Sequence, residues 1–322
     1  MKPEIWVLGD NRAGTKIQAI ALAEVLDLGY NLKDIRYNIW GKLPNFLLMI
    51  NPIHIERKFF EPLDGAKLPE IIISAGRRTA PLALYLKKKS DNKLKVIQIM
   101  RPDCSYSQFD LMVIPYHDNI PQASNNIVRI TGALNNIKAK IVDGGEELRK
   151  QYPEIKKFIA VIIGGNTKNY KFNICDINLF SSLLSKVSST HSLPLFISFS
   201  RRTPSEAKQI IRANFSWPNI IYDPEEGGMN PYFGMLSCAD YIISTADSIS
   251  MCSEAASSGK PLYIFLPDDF KSKKHRIFIQ QLIQVGIARK LDNSVSLLEN
   301  YFYKPLYEVE KVAQIIKSNF LL

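Results

Sequence analysis

The chain repeats one pattern: a short run of β-branched and other apolar residues, then a longer stretch whose apolar positions fall at helical spacing. In the first half the runs are residues 5–8, 35–39, 70–74, 96–100, 111–115 and 127–130, with a helix near 15–27 after the first of them. Runs that are apolar on both faces and separated by helices predict a parallel sheet covered on both sides. From about 131 to 153 the pattern weakens into a Gly-Ala-Leu turn, a helical segment and the run Asp143-Gly144-Gly145-Glu146-Glu147. A domain boundary is expected there, since boundaries fall in polar, glycine-bearing linkers.

The alternation then restarts. Runs at 158–163, 195–199, 220–222, 241–244 and 261–265 predict strands, and 176–189, 204–213, 232–237 and 248–258 predict helices between them. The expected fold class is α/β, with two doubly wound parallel-sheet (Rossmann-like) domains, residues 1–145 and 146–304. Val309, Val312, Ile315 and Ile316 have the spacing of a final helix over 307–320.

Composition narrows the class of protein. With 46% hydrophobic and 22% charged residues in 322, the chain can bury two cores, and extensive disorder is not expected. The apolar stretches are shorter than the roughly 20 residues that span a bilayer. The start Met1-Lys2-Pro3-Glu4 shows no export signal, so a cytoplasmic protein is expected. Cys104, Cys175, Cys238 and Cys252 form no C-x-x-C pair and no histidine has a second ligand at metal spacing, so no metal is expected. A net charge of +10 favours anionic partners such as nucleotides, phospholipids or nucleic acid.

In open parallel sheets ligands bind at the carboxyl ends of strands. In the first half these ends carry Gly9, Asp10, Asn11, Arg12 and Gly14, and then Gly76, Arg77, Arg78 and Thr79. Small residues let backbone N–H groups approach a ligand, and a helix start adds the positive end of its dipole, so both ends are candidate anion or acceptor sites. Neither turn has the Walker order or the full dinucleotide glycine pattern, and Gly9 and Gly76 equally suit plain tight turns. In the second half the ends carry Gly164, Gly165, Lys168 and Tyr170, then Ser200, Arg201 and Arg202, then Ser244, Thr245, Asp247, Ser248 and Ser250 with Glu254 further along the helix. Hydroxyls and amides at that helix start suit a diphosphate, and the Glu254 carboxylate suits a ribose diol. As a bland alternative, Glu254 is a solvated helix residue.

The strings GDNRAGTKIQAIALAE, SAGRRTAPLAL, GGNTKNY, SFSRRTPSEA, NPYFGMLSCAD and TADSISMCSEAASSGKPLYIF, in order from Gly9 to about Phe265, resemble the mitochondrial fission family named for the elongated-mitochondria phenotype in plants. That family is similar in fold to GT-B glycosyltransferases, including the peptidoglycan N-acetylglucosaminyltransferase and the lipid A disaccharide synthase. The resemblance implies two sheets whose strand ends face each other across a cleft, with Gly9 to Gly14 and Arg77 to Thr79 on one wall and Gly164 to Tyr170 and Ser244 to Glu254 on the other. It also implies that residues 305–322 pack back on the first domain. Glu254 matches the donor-binding glutamate in its Ser-x-x-x-Glu-Ala setting, and Asn230 falls in the donor-side motif. Residues Glu225-Glu226-Gly227-Gly228-Met229 depart from the Gly-x-Gly-Glu type approach usual in the family.

The function implied is transfer of a sugar from a nucleotide-sugar, which is a substrate rather than a cofactor, to an unknown, lipid-linked or envelope acceptor. No metal is needed if helix dipoles and basic side chains such as Lys168, Arg201 and Arg202 stabilise the leaving diphosphate. Asp10 is the first candidate base and His117, after the run 111–115, the second. Asp10 also reads as a helix cap, and His117 as a loop histidine without a chemical role. The rival is a non-catalytic nucleotide-binding adaptor related to fission factors. A nucleic-acid partner is not expected, since no helix-turn-helix, zinc-finger or RNA-recognition signature is present. Finally, Leu43-Pro44-Asn45-Phe46-Leu47-Leu48-Met49-Ile50, followed by His54, Arg57 and Lys58, reads either as a docking face for the anionic inner surface of a membrane or as a buried amphipathic helix.

Overall fold

A computed structural model describes residues 3–48, 51–120 and 124–321. They divide into two compact units, Met1–Asn136 with Tyr307–Leu322, and Ile137–Leu306.

The first unit holds a six-stranded parallel sheet of β1 (Ile5–Gly9), β2 (Asn31–Asp34), β3 (Ile71–Ala75), β4 (Lys95–Ile99), β5 (Leu111–Pro115) and β6 (Ile127–Ile130), in the order β2-β1-β3-β4-β5-β6. Helices α1 (Ala13–Leu26), α2 (Asn45–Leu48), α3 (Arg57–Asp64) and α4 (Ala80–Lys89) connect its strands. Successive strand side chains point to opposite faces, so β1 serves two cores. Ile5 and Val7 pack with Leu22 of α1 and with Val312 and Ile316 of the terminal helix (Glu308–Phe320). Trp6 and Leu8 pack with Leu82 and Leu86 of α4. The terminal helix therefore completes the first core.

β2 differs from its expected position at 35–39. The paired residues are Asn31 to Asp34, mostly exposed, because β2 is an edge strand set by its register on Trp6 to Gly9. Ile35 is buried just beyond it, whereas Ile39 lies in a short 3-10 turn. Apolar content marked the wrong side of this strand, since edge strands are polar on their open face.

The second unit contains α5 (Lys138–Gln151), β7 (Ile159–Ile163), α6 (Ile174–His191), β8 (Leu195–Phe199), α7 (Ser205–Asn214), β9 (Ile220–Tyr222), α8 (Tyr232–Cys238), β10 (Tyr241–Thr245), α9 (Ile249–Ser257), β11 (Leu262–Phe265), α10 (Lys273–Gln284) and β12 (Ala288–Lys290). Its parallel sheet runs β12-β11-β10-β7-β8-β9. The four strands β7, β8, β10 and β11 are buried along their whole length, as a sheet covered on both faces requires.

The boundary falls at 136/137, not 145/146, and α5 belongs wholly to the second unit. Gly144 and Gly145, which read as linker glycines, lie inside α5 and touch α8. A Cβ on Gly144 would come 2.8 Å from the Gly234 nitrogen, and one on Gly145 2.6 Å from Ser237 Oγ. Small residues here let two helix backbones approach; they do not mark a linker.

Candidate functional site

Strand order locates the sites. In the first sheet the connections run outward in both directions from the neighbours β1 and β3, and in the second from β7 and β10. At such switch points the loops diverge and leave a crevice at the strand carboxyl ends, where doubly wound folds bind ligands.

At β7 and β10 the loops are tied by one buried carboxylate. Asp247 accepts from the Gly165 amide at 2.8 Å and from Thr245 Oγ1 at 2.6 Å, and it pairs with Arg202 Nη2 at 2.9 Å. Thr245 Oγ1 in turn accepts from the Gly164 amide at 2.8 Å. Ser200 Oγ, at 2.7 Å, and Thr203 Oγ1 both donate to the Gly164 carbonyl, which brings in the end of β8. Both glycines are required by crowding: a Cβ on Gly164 would lie 2.2 Å from the Asp247 carboxylate, and one on Gly165 2.0 Å from the Arg202 carbonyl. Gly164, Gly165, Thr245 and Asp247 therefore bond to one another. The two amides expected to receive a ligand anion are already taken by Thr245 and Asp247.

The helix start beyond this knot is open. Ser248 caps α9 by accepting from the Met251 amide at 3.4 Å. First-turn amides have no partner within a helix, and those of Ile249 and Ser250 have no acceptor among the described residues. Lys168 and Arg201 are exposed and, among the described residues, make no ion pair. Asn230 is exposed, and its Oδ1 accepts from the Tyr232 amide at 3.1 Å. Two candidates are turned inward. The Tyr170 hydroxyl donates to Asp176 at 2.9 Å, and Ser244 is fully buried against Cys252 and the Thr245 carbonyl.

Glu254 sits further along α9, half-buried, and its Oε2 accepts from the Tyr232 hydroxyl at 2.5 Å. Burial pushes the Glu254 carboxyl above its ordinary range, while the Tyr232 bond and the Lys140 charge pull it back. The departing segment after β9 is anchored on α7. Lys208 Nζ reaches Asp223 at 2.9 Å and Glu225 at 2.6 Å, and Arg212 reaches Glu226 at 2.7 Å. Ion pairs with α7 therefore position the loop that leads into Tyr232.

A cavity of about 870 Å³ also opens on this unit, between Asn166, Pro204 and Pro267. Asp176, Glu206, Asp268 and Asp269 line it, a carboxylate-rich wall unsuited to a diphosphate.

At β1 and β3 of the first unit the side chains are more occupied. Asp10 Oδ1 accepts from Arg78 Nη2 at 2.6 Å and from the Arg12 amide at 2.9 Å. Arg78 also bonds Asn11 at 2.5 Å and lies 4.4 Å over the Tyr37 ring. Arg77 donates to the carbonyls of Leu43 and Gly41, both at 2.8 Å, so its expected anion-binding role is replaced by holding the 41–45 loop. Thr79 is buried and donates to the Ala75 carbonyl at 2.7 Å. Gly76 needs its positive φ of 81°, with a Cβ 2.9 Å from Thr15. Arg12 is exposed without an ion pair among the described residues, and Gly14 is an exposed position in the first turn of α1. A pocket of about 440 Å³ lies beside Gly9, Asp10, Lys16 and Arg36. His117 follows β5, with β3 and β4 between that strand and β1, so the sheet does not bring it beside Asp10. Among the described residues no three His, Cys, Asp or Glu side chains gather as a metal site.

The sequence reading missed Thr203, which secures Gly164, and Tyr232 with Lys140, which surround Glu254. Tyr232 lies within the NPYFGMLSCAD string, but its bond to Glu254 joins α8 to α9 and has no local signature.

Two parallel doubly wound units, each with a switch point, define the GT-B class of α/β proteins. A UDP-GlcNAc 2-epimerase from Methanocaldococcus jannaschii is similar with a TM-score of 0.63, 13% identity, and coverage of 98% of this chain and 100% of that one. The Neisseria meningitidis UDP-GlcNAc 2-epimerase bound to UDP-GlcNAc is similar at 0.57, with 14% identity and 99% of each chain covered. Such identities speak for the fold alone. Within that class the chain belongs to the mitochondrial fission ELM1 family, which it matches over residues 13–320. It is 50% identical over 345 aligned positions to an uncharacterized protein of Rickettsia prowazekii (strain Madrid E), covering 97% of each. It is 26% identical over 290 positions to the mitochondrial fission protein ELM1 of Arabidopsis thaliana, covering 82% of this chain and 66% of that protein.

Proposed function

We propose that the second unit binds a nucleotide-linked sugar and that the protein transfers the sugar to an acceptor, as a metal-independent glycosyltransferase. The observation that carries this reading is the β7/β10 switch point, where α9 offers open first-turn amides and then Glu254. The diphosphate is received by those amides with Lys168 and Arg201, and the ribose by Glu254. Similar folds that hold UDP-GlcNAc support the ligand class. A second reading, a nucleotide-binding adaptor without turnover, is favoured by the engagement of Asp10 with Arg78. UDP, GDP, CMP and ADP and their sugars are to be screened by thermal shift. At least one is expected to raise the melting temperature, and Glu254→Ala to weaken it on the order of 10-fold or more. No shift with any of them would end the nucleotide reading. Binding without release of nucleotide from the sugar, tested with lipid-linked acceptors, would favour the adaptor.

We also propose that the exposed apolar side chains Ile39, Trp40, Leu47 and Ile53 dock on an anionic membrane surface, whereas Leu48 and His54, read as part of that face, are buried. Ile39 is 77% exposed and Trp40 49%, with Leu47 and Ile53 also exposed and Arg57 and Lys58 beside them in sequence. Of the stretch 43–50, Met49, Ile50 and the Phe46 side chain lie outside the described residues. No helix among the described residues is long and apolar enough to cross a membrane. Trp40→Glu is expected to abolish co-sedimentation with phosphatidylglycerol vesicles. Equal binding to neutral phosphatidylcholine vesicles would reject this face.

A further inference from the structure

We infer that Tyr232 is the positioning residue that aims Glu254 at a ribose diol, making the site selective for ribonucleotides over dideoxynucleotides. This rests on the nucleotide reading above. Tyr232 is the first residue of α8, and its ring meets Phe233 edge-on at 5.3 Å. Its hydroxyl donates to Glu254 Oε2 at 2.5 Å, a charge-assisted bond of the strong kind. The other oxygen, Oε1, has no protein partner among the described residues and is not sealed from solvent. One oxygen is thus pinned and the other is open, so the carboxylate is held in a single orientation with acceptor capacity left over.

The charged and titratable groups facing Glu254 are few. Tyr232 faces it from α8, Lys140 from α5 and Cys252 from α9 itself. Burial pushes the Cys252 thiol up to about 12, so it stays neutral, and burial also drives the Tyr232 phenol well above its ordinary value, so it remains a donor. Lys140 is exposed and rests 5.6 Å over the Phe233 ring. Burial alone would favour a protonated Glu254, whose carboxyl would make a poorer acceptor for two ribose hydroxyls. The phenol and the ammonium oppose that shift. Without the phenol the Glu254 carboxyl titrates at higher pH, so recognition of the diol needs a higher pH.

The test compares affinities for UDP, GDP, ADP and CMP with those of their 2′,3′-dideoxy counterparts, by calorimetry, from about pH 5 to about pH 9. In the unaltered protein the ribo form is expected to bind on the order of 10-fold or more tighter near neutral pH, with the ratio rising with pH. Tyr232→Phe should lower that ratio and move the midpoint of its rise with pH to higher pH. Lys140→Met, an exposed change that leaves the core intact, should move the same midpoint upward by less. A hydroxyl that only braced the fold would weaken both ligand forms alike and leave the midpoint in place, and that result would overturn the inference. Nucleotide binding without ribose discrimination would also overturn it while leaving the nucleotide reading standing. Absence of any nucleotide binding would remove both.

Discussion

Replacing Gly165 by alanine should destabilise the second unit by about 4 kcal/mol or more, enough to leave little folded protein, since most domains have only about 5–15 kcal/mol to lose. The new methyl would lie 2.0 Å from the Arg202 carbonyl oxygen and 2.6 Å from the Thr203 nitrogen. Both are backbone atoms in the loop after β8 and cannot rotate away. Relief requires the β7 and β8 loops to part, which breaks the Asn166 amide bond to the Arg202 carbonyl at 3.0 Å and the Gly165 amide bond to Asp247 at 2.8 Å. Urea unfolding followed by circular dichroism gives the answer directly. A midpoint equal to that of the unaltered chain would mean that these loops yield easily and that the crowding has no structural weight.

Asp247→Ala is expected to cost about 3–5 kcal/mol, because it removes the common acceptor of a buried cluster and strands its donors. Asp247 is 3% exposed, and its loss leaves the Gly165 amide and the Thr245 hydroxyl unmatched. Arg202 contributes less, since its side chain is 41% exposed and can rehydrate. Asp247→Asn keeps the shape but turns an NH₂ group toward donors, so its cost should be similar. A double-mutant cycle with Arg202→Ala separates the ion pair from the amide bond. If Asp247→Ala cost under about 1 kcal/mol, the carboxylate would not be what joins the ends of β7, β8 and β10.

This cluster changes how the site must work. The Thr245 hydroxyl takes the Gly164 amide and the Asp247 carboxylate takes the Gly165 amide, two donors that were read as facing the ligand. An incoming diphosphate has the start of α9 instead, where Ser248 caps the helix and the amides of Ile249 and Ser250 stay open. Asp247 thus supports the site from beneath, and the glycines before it exist to let it in.

Much of the architecture was legible in the chain. The doubly apolar runs at 158–163 and 195–199 can be satisfied only by burial on both faces, so they specify parallel strands wherever the rest of the chain goes. The glycines, hydroxyls and arginines after those runs stand at strand carboxyl ends, as the alternation of strands and helices already requires. Local pattern also found the terminal helix from Val309, Val312 and Ile316. What it could not reach were matters settled between distant segments. The edge strand β2 takes its register from β1 and not from its own apolar content. Gly144 and Gly145 look like a linker until α8 is seen packed against them. Arg77 and Arg78 read alike in sequence, yet one holds loop carbonyls and the other pairs with Asp10. Tyr232 and Glu254 are separated by 22 positions and meet only when β10 sets α8 and α9 side by side. Sequence alone determined which residues are apolar, small or charged at each strand end. The tertiary structure decided which of those charges the protein uses on itself, because a donor's partner depends on distance in space, and hydrophobic periodicity carries no record of it.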